Sequence, residues 1–154
     1  MSNLSAAHLR VFLVFIVFSP IIFATSRSAY VKNKNYNEFN ALLDRGTQQL
    51  DAKQYNNAIQ SLRKATLIDP DSSSAHFRLG IALEASGNYR EAIIELQHPS
   101  TSKERVPSAY LTLGNAEFHL GHMQNARRAW QTVVDMDGEG TWGKEALEKL
   151  KRNP

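Results

Sequence analysis

Residues 77–96 have the sequence FRLGIALEASGNYREAIIEL, and a matching pattern of residue types occurs 34 positions earlier and 34 positions later. The earlier copy contains LLDRGTQQL (42–50) and YNNAIQSLRKATLIDP (55–70), and the later copy contains YLTLGNAEF (110–118) and MQNARRAWQTVVDMD (123–137). Four sets of positions keep this step: Gly46, Gly80 and Gly114; Ala58, Ala92 and Ala126; Tyr55, Tyr89 and Met123; Leu62, Leu96 and Trp130. Such a period indicates a repeat protein.

The apolar residues inside each copy recur every three or four positions, which indicates helices, and strand-like alternation is absent from the sequence. We therefore predict an all-α fold. A glycine in the first helix of a copy lets the second helix approach closely, and the alanine of the second helix faces the same crossing. We expect the large residues Leu62, Leu96 and Trp130 to fill the space between neighbouring helix pairs. Asp69-Pro70 ends a second helix, because proline cannot continue a helix.

These motifs resemble the tetratricopeptide repeat family over about residues 39–140. The resemblance implies an α-solenoid of three helix-turn-helix repeats in residues 36–140, at about 39–72, 73–106 and 107–140. The charged segment 141–152 predicts a C-terminal capping helix that begins at Thr141 as N-cap. Its residues available for packing are Trp142, Ala146, Leu147 and Leu150.

Two positions depart from the repeat pattern. Pro99 stands where the other repeats have a helical residue, so we expect the second helix of that repeat to stop near Gln97 or His98. The following residues then form a looser polar loop, and Pro107 opens the next helix. Arg45 replaces the leucine of the other two repeats, which indicates a polar or partner-facing start to the stack.

The amino-terminal segment is predicted as a targeting element. Val11–Ala24 is apolar apart from Ser19 and Pro20, and its 14 residues are fewer than the roughly 20 that a spanning helix needs. Residues 1–26 therefore fit a signal peptide cleaved near Ala24. The cluster Arg27, Lys32 and Lys34 favours the alternative of an uncleaved single-pass anchor with residues 9–25 in the membrane as a hydrophobic helix. A buried hydrophobic arm is a third alternative.

Residues 27–35 are polar and are predicted to form a linker. Asn35 and Glu38 resemble a capping box, which predicts that the first repeat helix starts at Tyr36.

Resemblance to the tetratricopeptide family also implies a groove lined by the first helix of each repeat, where a partner peptide or helix binds. The groove candidates are Leu43, Thr47, Leu50, Phe77, Arg78, Ile81, Leu111, Asn115 and Phe118. Most of them are apolar, so we expect a hydrophobic or amphipathic partner. The alternatives are that part of this set packs on residues 30–40 or on another copy of the chain.

A subclass of the family grips the terminal carboxylate of chaperone tails with Lys and Asn side chains at set groove positions. The corresponding residues here are Leu43, Thr47, Ser108 and Thr112, so that carboxylate clamp is absent.

Metal, cofactor and catalytic sites are not predicted. His119 and His122 have a spacing that metal ligands use, but no third ligand lies nearby in the sequence. Residues 135–140 imitate the start of a calcium loop, yet Ala146 stands where the closing carboxylate is required. The sequence has no cysteine, no phosphate-binding glycine loop and no nucleophile elbow, so we predict no enzyme activity and no cofactor.

The small net charge and its even distribution also argue against nucleic acid as a partner. Eighteen basic and 15 acidic side chains leave a net charge of +3, and the two signs are interspersed along the repeats. We therefore expect a non-catalytic adaptor or scaffold, exported or membrane-tethered, that binds a partner protein. The alternative is a structural or assembly subunit of a larger membrane complex that retains the amino-terminal helix, and self-association through the groove is a third possibility.

Overall fold

The computed structural model describes residues 30–98, 101 and 106–154. The chain divides into two units, Met1–Glu38 and Phe39–Pro154. In the first unit residues 30–38 are helical and every one of them is exposed. Asn35 lies inside this helical stretch, so the predicted capping box and helix start at Tyr36 are wrong. The apolar run at 9–25 lies outside the described residues, and no helix within the described ranges is long and apolar enough to cross a membrane.

The second unit is a succession of antiparallel helix pairs. Its α1 comprises residues 39–51. The helices that follow are α2 (Tyr55–Ile68), α3 (Ser73–Ala85), α4 (Tyr89–Leu96), α5 (Pro107–His119), α6 (Met123–Asp137) and α7 (Thr141–Arg152). Residues 39–98, 101 and 106–154 contain no strand, which confirms the all-α prediction.

The same turn joins the two helices of each pair. Lys53, Gly87 and Gly121 occupy equivalent positions and have φ angles of 59°, 84° and 78°. In each turn the following residue donates its N–H five residues back, from Gln54 to Gln49 O at 2.8 Å in the first pair. This bond closes a Schellman motif, which requires a left-handed residue and therefore favours glycine. Lys53 adopts that conformation with a Cβ, at a conformational cost.

Glycine sets the distance between the helices of a pair. A Cβ built on Gly46 would lie 2.6 Å from Leu62 Cγ, and one on Gly80 would lie 2.6 Å from Leu96 Cγ. The third pair has the equivalent contact between Gly114 and the Trp130 indole. The large residues thus pack on the glycine of their own pair, a contact that was not predicted from the sequence. Leu62 and Leu96 also share the first core with residues of the neighbouring pairs.

The buried apolar residues form two cores. The first core takes residues from α2, α3 and α4, together with Ala109 and Ala116 of α5. The second core contains Leu111 of α5, Trp130 and its neighbours on α6, and Ala146 of α7. Helix α5 therefore forms part of both cores.

The second pair ends early, as the sequence predicts. Helix α4 stops at Leu96 with Gln97 as its C-cap, and α5 begins at Pro107. Of the predicted loop after Pro99, residues 99–100 and 102–105 lie outside the described residues. Thr101 is helical and buried, and its Oγ1 donates to Glu95 O at 3.3 Å, so the prediction of a loose loop is wrong at this residue.

A histidine holds the ends of the second pair together. The ring of His76 is buried on α3, with Nδ1 2.6 Å from Glu95 Oε2 and Nε2 2.9 Å from the carbonyl oxygen of Pro70. The His98 ring stacks on it with centroids 3.8 Å apart. These contacts join the α2–α3 loop, α3 and the end of α4.

Helix α7 packs on the last pair. Asp137 accepts hydrogen bonds from the first backbone amides of α7. Its Oδ2 lies 2.9 Å from Trp142 N and 3.0 Å from Gly143 N. The N-cap residue is Gly140, so the prediction of Thr141 as N-cap is wrong. This role of Asp137 also accounts for the calcium-like residues as an ordinary inter-helix turn. Among the predicted packing residues, Ala146 and Leu150 contact the second core, whereas Trp142 and Leu147 are exposed.

Candidate functional site

The first helices of the three pairs carry the predicted groove residues, which we call the inner stripe: Leu43, Thr47 and Leu50 on α1; Phe77, Arg78 and Ile81 on α3; Leu111, Asn115 and Phe118 on α5. On α3 the stripe residues lie on the face of the helix that is not packed into the core. Leu79, Gly80 and Leu83 are buried, while the three stripe residues of α3 are only partly buried.

The stripe residues are not equally accessible. Leu111 is buried in the second core, so it is unavailable to a partner without rearrangement. Leu43, Leu50 and Phe77 are partly buried against the first core. Phe118 is 36% exposed, and its ring lies 5.7 Å from the Trp130 ring.

Asn115 is held by the same indole. Its Oδ1 accepts a long hydrogen bond of 3.4 Å from Trp130 Nε1. The large residue that packs on Gly114 therefore also positions the polar member of the stripe on α5.

The four clamp positions named above, Leu43, Thr47, Ser108 and Thr112, carry no Lys or Arg side chain in this chain. Thr47 Oγ1 donates to Leu43 O at 2.8 Å, and Thr112 Oγ1 donates to Ser108 O at 2.9 Å. Both hydroxyls are thus engaged with the backbone of their own helix, four residues back.

Two ionisable side chains give the stripe its charge. Arg78 Nε is buried and has no hydrogen-bond partner among the described residues. Glu84 lies on α3, six residues beyond Arg78. Burial raises the pKa of Glu84 above its ordinary value, and the positive charges of His119 and Lys149 offset part of this effect.

Glu84 was not among the groove residues predicted from the sequence. It occupies the same repeat position as Leu50 and Phe118, 34 residues away in each direction, so the periodicity could have identified it. Lys149 of α7 was also missed. Its Nζ lies 3.6 Å from Glu145 and 6.0 Å from the Trp130 ring centroid.

The two histidines considered as metal ligands point to different partners. The His119 ring stacks on Tyr89 with centroids 4.4 Å apart, whereas His122 Nδ1 lies 2.7 Å from Glu117 Oε2. Within the described ranges, no group of three or more His, Cys, Asp or Glu side chains could hold a metal ion.

The helix pairs are similar to those of known proteins. The family model for the tetratricopeptide repeat matches residues 49–103. The Arabidopsis OM64 tetratricopeptide domain superposes with a TM-score of 0.71 at 16% identity, covering 78% of this chain and 99% of that one. The described helices have a tetratricopeptide-like solenoid fold.

Two further solved tetratricopeptide domains have the same fold. The Sgt2 domain from Aspergillus fumigatus matches with a TM-score of 0.66 and 25% identity, over 75% of this chain and 78% of that one. The first tetratricopeptide domain of Spaghetti (RPAP3), bound to the HSP90 peptide SRMEEVD, matches with a TM-score of 0.67 and 17% identity, over 75% and 92%.

Among curated proteins, the chain is similar to the small glutamine-rich tetratricopeptide repeat-containing protein 2 of Mycosarcoma maydis. The two are 29% identical over 106 residues, which is 69% of this chain and 30% of the relative. The chain thus spans less than a third of that protein's length. The matched family and these similar proteins are tetratricopeptide repeat proteins or domains, and their names indicate no enzymatic family.

Proposed function

We propose that this chain is a non-catalytic adaptor whose inner stripe binds a peptide or helix of a partner protein. The observation that carries this proposal is the partly exposed apolar surface of the inner stripe on α1, α3 and α5. Phe118 is 36% exposed and Ile81 is partly exposed. An apolar face on a rigid helical framework suits an amphipathic segment.

The similar structures support this kind of partner. The Spaghetti domain is bound to an HSP90 peptide, and the second tetratricopeptide domain of human RPAP3 is in complex with the HSP70 peptide SGPTIEEVD. What we carry over is the use of the fold to hold an extended peptide. The carboxylate clamp is not carried over, because Thr47 and Thr112 offer no cation and their hydroxyls are bonded to the backbone.

Paired substitutions test the stripe. Ile81→Asp with Phe118→Asp places two carboxylates on it without removing a fully buried side chain. The matched control is Leu67→Asp with Ile94→Asp, since these residues of the second helices are 80% and 67% exposed. Pull-down with the full chain and quantitative mass spectrometry should lose specific partners with the stripe variant only. Equal recovery by both variants, each with unchanged circular dichroism, refutes the proposal.

For the location of the protein we propose export or membrane attachment, with residues 1–26 as the targeting element and 27–35 as a linker. The support is the apolar run at 11–24 and the arginine before it. Intact-mass measurement of the native protein separates the two forms. A chain that begins near Thr25 indicates a cleaved signal peptide, and a full-length chain in the membrane fraction indicates an anchor.

The second candidate is an assembly subunit of a membrane complex in which residues 9–25 stay in the bilayer. The basic cluster Arg27, Lys32 and Lys34 favours this alternative, because positive charges beside a span tend to remain on the cytoplasmic side. Purification in mild detergent should then yield a stoichiometric complex with an intact amino terminus. Light scattering on the same sample measures self-association, which a monomeric mass would refute.

A further inference from the structure

Glu84 continues the line of inner-stripe residues along α3. Phe77, Ile81 and Glu84 are separated by four and three residues, so they lie on one face of the helix. The stripe residues of α1 and α5 have the same separations, and Glu84 has the repeat position of Leu50 and Phe118. Equivalent helices of a solenoid stack side by side, so a carboxyl group stands in a row whose other two members are apolar.

This carboxyl group has no cation in direct contact with it. Glu84 is partly buried, and its side chain makes no salt bridge with any residue that the structure describes. Burial raises its pKa, and the positive charges of His119 and Lys149 offset only part of this effect. Both cations have other partners, since the His119 ring stacks on Tyr89 and Lys149 Nζ lies 3.6 Å from Glu145.

A basic side chain of a partner suits these surroundings. The carboxylate already lacks part of its hydration, so pairing with it displaces less water than pairing at an exposed glutamate. Long basic side chains also bury their methylene groups on apolar surface while the charged end reaches a polar group.

Phe118 supplies apolar surface next to the carboxylate. Its ring is 36% exposed and lies 6.0 Å from the ring of His119, whose charge acts on Glu84. An aromatic ring attracts a cation placed over its face, and a guanidinium stacks there well. Arginine also binds a carboxylate through two parallel N–H donors, so we expect it to be preferred over lysine.

We infer that the partner segment carries one arginine or lysine side chain that binds the Glu84 carboxylate, with apolar side chains beside it that contact Ile81 and Phe118. This inference rests on the proposed function and specifies the chemistry of the partner. The net charge of the chain is +3, so general electrostatic attraction does not favour a basic partner. A preference for a basic residue is therefore local to Glu84.

The test uses peptides as the probe. A random library of peptides displayed on phage is selected against the full chain, and selected peptides are synthesised and titrated by fluorescence anisotropy at neutral pH. We expect selected sequences to contain an arginine or lysine between apolar residues. Replacing the arginine with citrulline, or the lysine with norleucine, removes the charge and keeps the length of the side chain. This replacement should weaken binding to the wild-type chain about tenfold, as for a charged hydrogen bond.

Variants of Glu84 assign this effect. Glu84→Gln should weaken binding of the charged peptide by a similar factor, while the uncharged peptide should bind both proteins alike. Glu84→Lys should weaken binding of the charged peptide further, because it opposes two like charges. Glu139→Gln is the matched control, since it makes the same change at an exposed glutamate between α6 and α7 and should leave binding unchanged.

Two other sources of the cation have their own readouts. If the chain's own Lys32 and Lys34 pair with Glu84, replacing both lysines with glutamine should tighten binding of the charged peptide, and this result overturns the inference. If a second copy supplies the cation, light scattering should show a dimer that Glu84→Gln dissociates, which also overturns it. A monomer whose affinity is unchanged by the two lysine substitutions supports a cation from the partner.

The remaining outcomes separate the two proposals. Peptides that lose binding with the Ile81→Asp and Phe118→Asp variant but bind equally in charged and uncharged form, or equally to Glu84→Gln, overturn the inference and leave the proposed function standing. Failure to select any peptide whose binding depends on the stripe overturns both. Circular dichroism of each variant verifies that the helices are retained.

Discussion

Substitution of Gly114 by alanine tests whether the contact between glycine and the large residue sets the spacing of a helix pair. A Cβ at this position would lie 2.5 Å from both Cδ1 and Nε1 of Trp130 and 3.2 Å from the carbonyl oxygen of Ala126. The Trp130 side chain is 1% exposed, so the indole has no free space into which it can turn. Either the indole or the backbone of α6 must move.

Two effects of opposite sign determine the magnitude. Alanine improves helix propensity by about 1 kcal/mol over glycine. Overpacking of a filled core costs about 1–3 kcal/mol, and we take the upper end because the contact involves a rigid ring and a backbone atom. The net expectation is a loss of about 2 kcal/mol in the free energy of unfolding. Gly80→Ala should cost less, because Leu96 is a flexible side chain at the end of the short α4.

Urea denaturation followed by circular dichroism at 222 nm measures the difference, and tryptophan fluorescence, recorded in a Trp142→Phe background, reports on Trp130. The double variant Gly114→Ala with Trp130→Leu should recover part of what the glycine substitution loses, relative to Trp130→Leu alone. A Gly114→Ala variant as stable as the wild type, or more stable, refutes the reasoning, since helix propensity would then outweigh the contact.

Four further changes have defined expectations. Lys53→Gly should raise the free energy of unfolding by roughly 0.5–1 kcal/mol, because glycine relieves the left-handed conformation there, and a lower urea midpoint would contradict this. Asp137→Ala should lose about 1 kcal/mol by urea denaturation, since it removes the acceptor at the start of α7, while exposed Asp135→Ala serves as the control. Burial raises the pKa of Glu84, so the folded state binds more protons than the unfolded state and stability falls as pH rises from 4.5 through the raised value. Glu84→Gln should flatten that part of a plot of melting temperature against pH, and an unchanged profile would contradict it. His76→Phe should lose about 1 kcal/mol, because it removes the contacts of the buried ring with Glu95 and the carbonyl oxygen of Pro70, and a thermal midpoint equal to that of the wild type would argue against this role.

The 34-residue period made much of the fold predictable. Because it places a glycine in the first helix and an alanine in the second helix of every copy at a fixed spacing, the helix pairs and their order follow from the sequence. The early end of α4 also follows, since Pro99 acts through local backbone geometry alone.

Depth of burial was less predictable than position on a helix face. Phe77 and Leu111 have the same repeat position, yet Leu111 is buried in a core that includes residues of α6 and α7. The 34-residue period shows that the two residues have the same position on their helices. It does not show that Phe77 packs against the first core while Leu111 is enclosed in the second. Neither the bond of His76 to Glu95 nor that of Asp137 to the start of α7 recurs in another repeat. The positions equivalent to His76 are Leu42 and Tyr110, and Asp69, the counterpart of Asp137, accepts from Asp71 N instead. A search for equivalence between copies therefore passes over them.

Helix α5 contributes Ala109 and Ala116 to the first core and Leu111 to the second. This arrangement predicts that backbone amides along the chain are unequally protected from hydrogen exchange. Opening of α6 and α7 exposes the second core while the first core, with Ala109 and Ala116, stays closed. Amide hydrogen exchange should therefore show at least two groups of protected amides, with those of α6 and α7 exchanging together. A solenoid that opens in this stepwise manner can loosen the inner helix α5, which carries Phe118, without global unfolding.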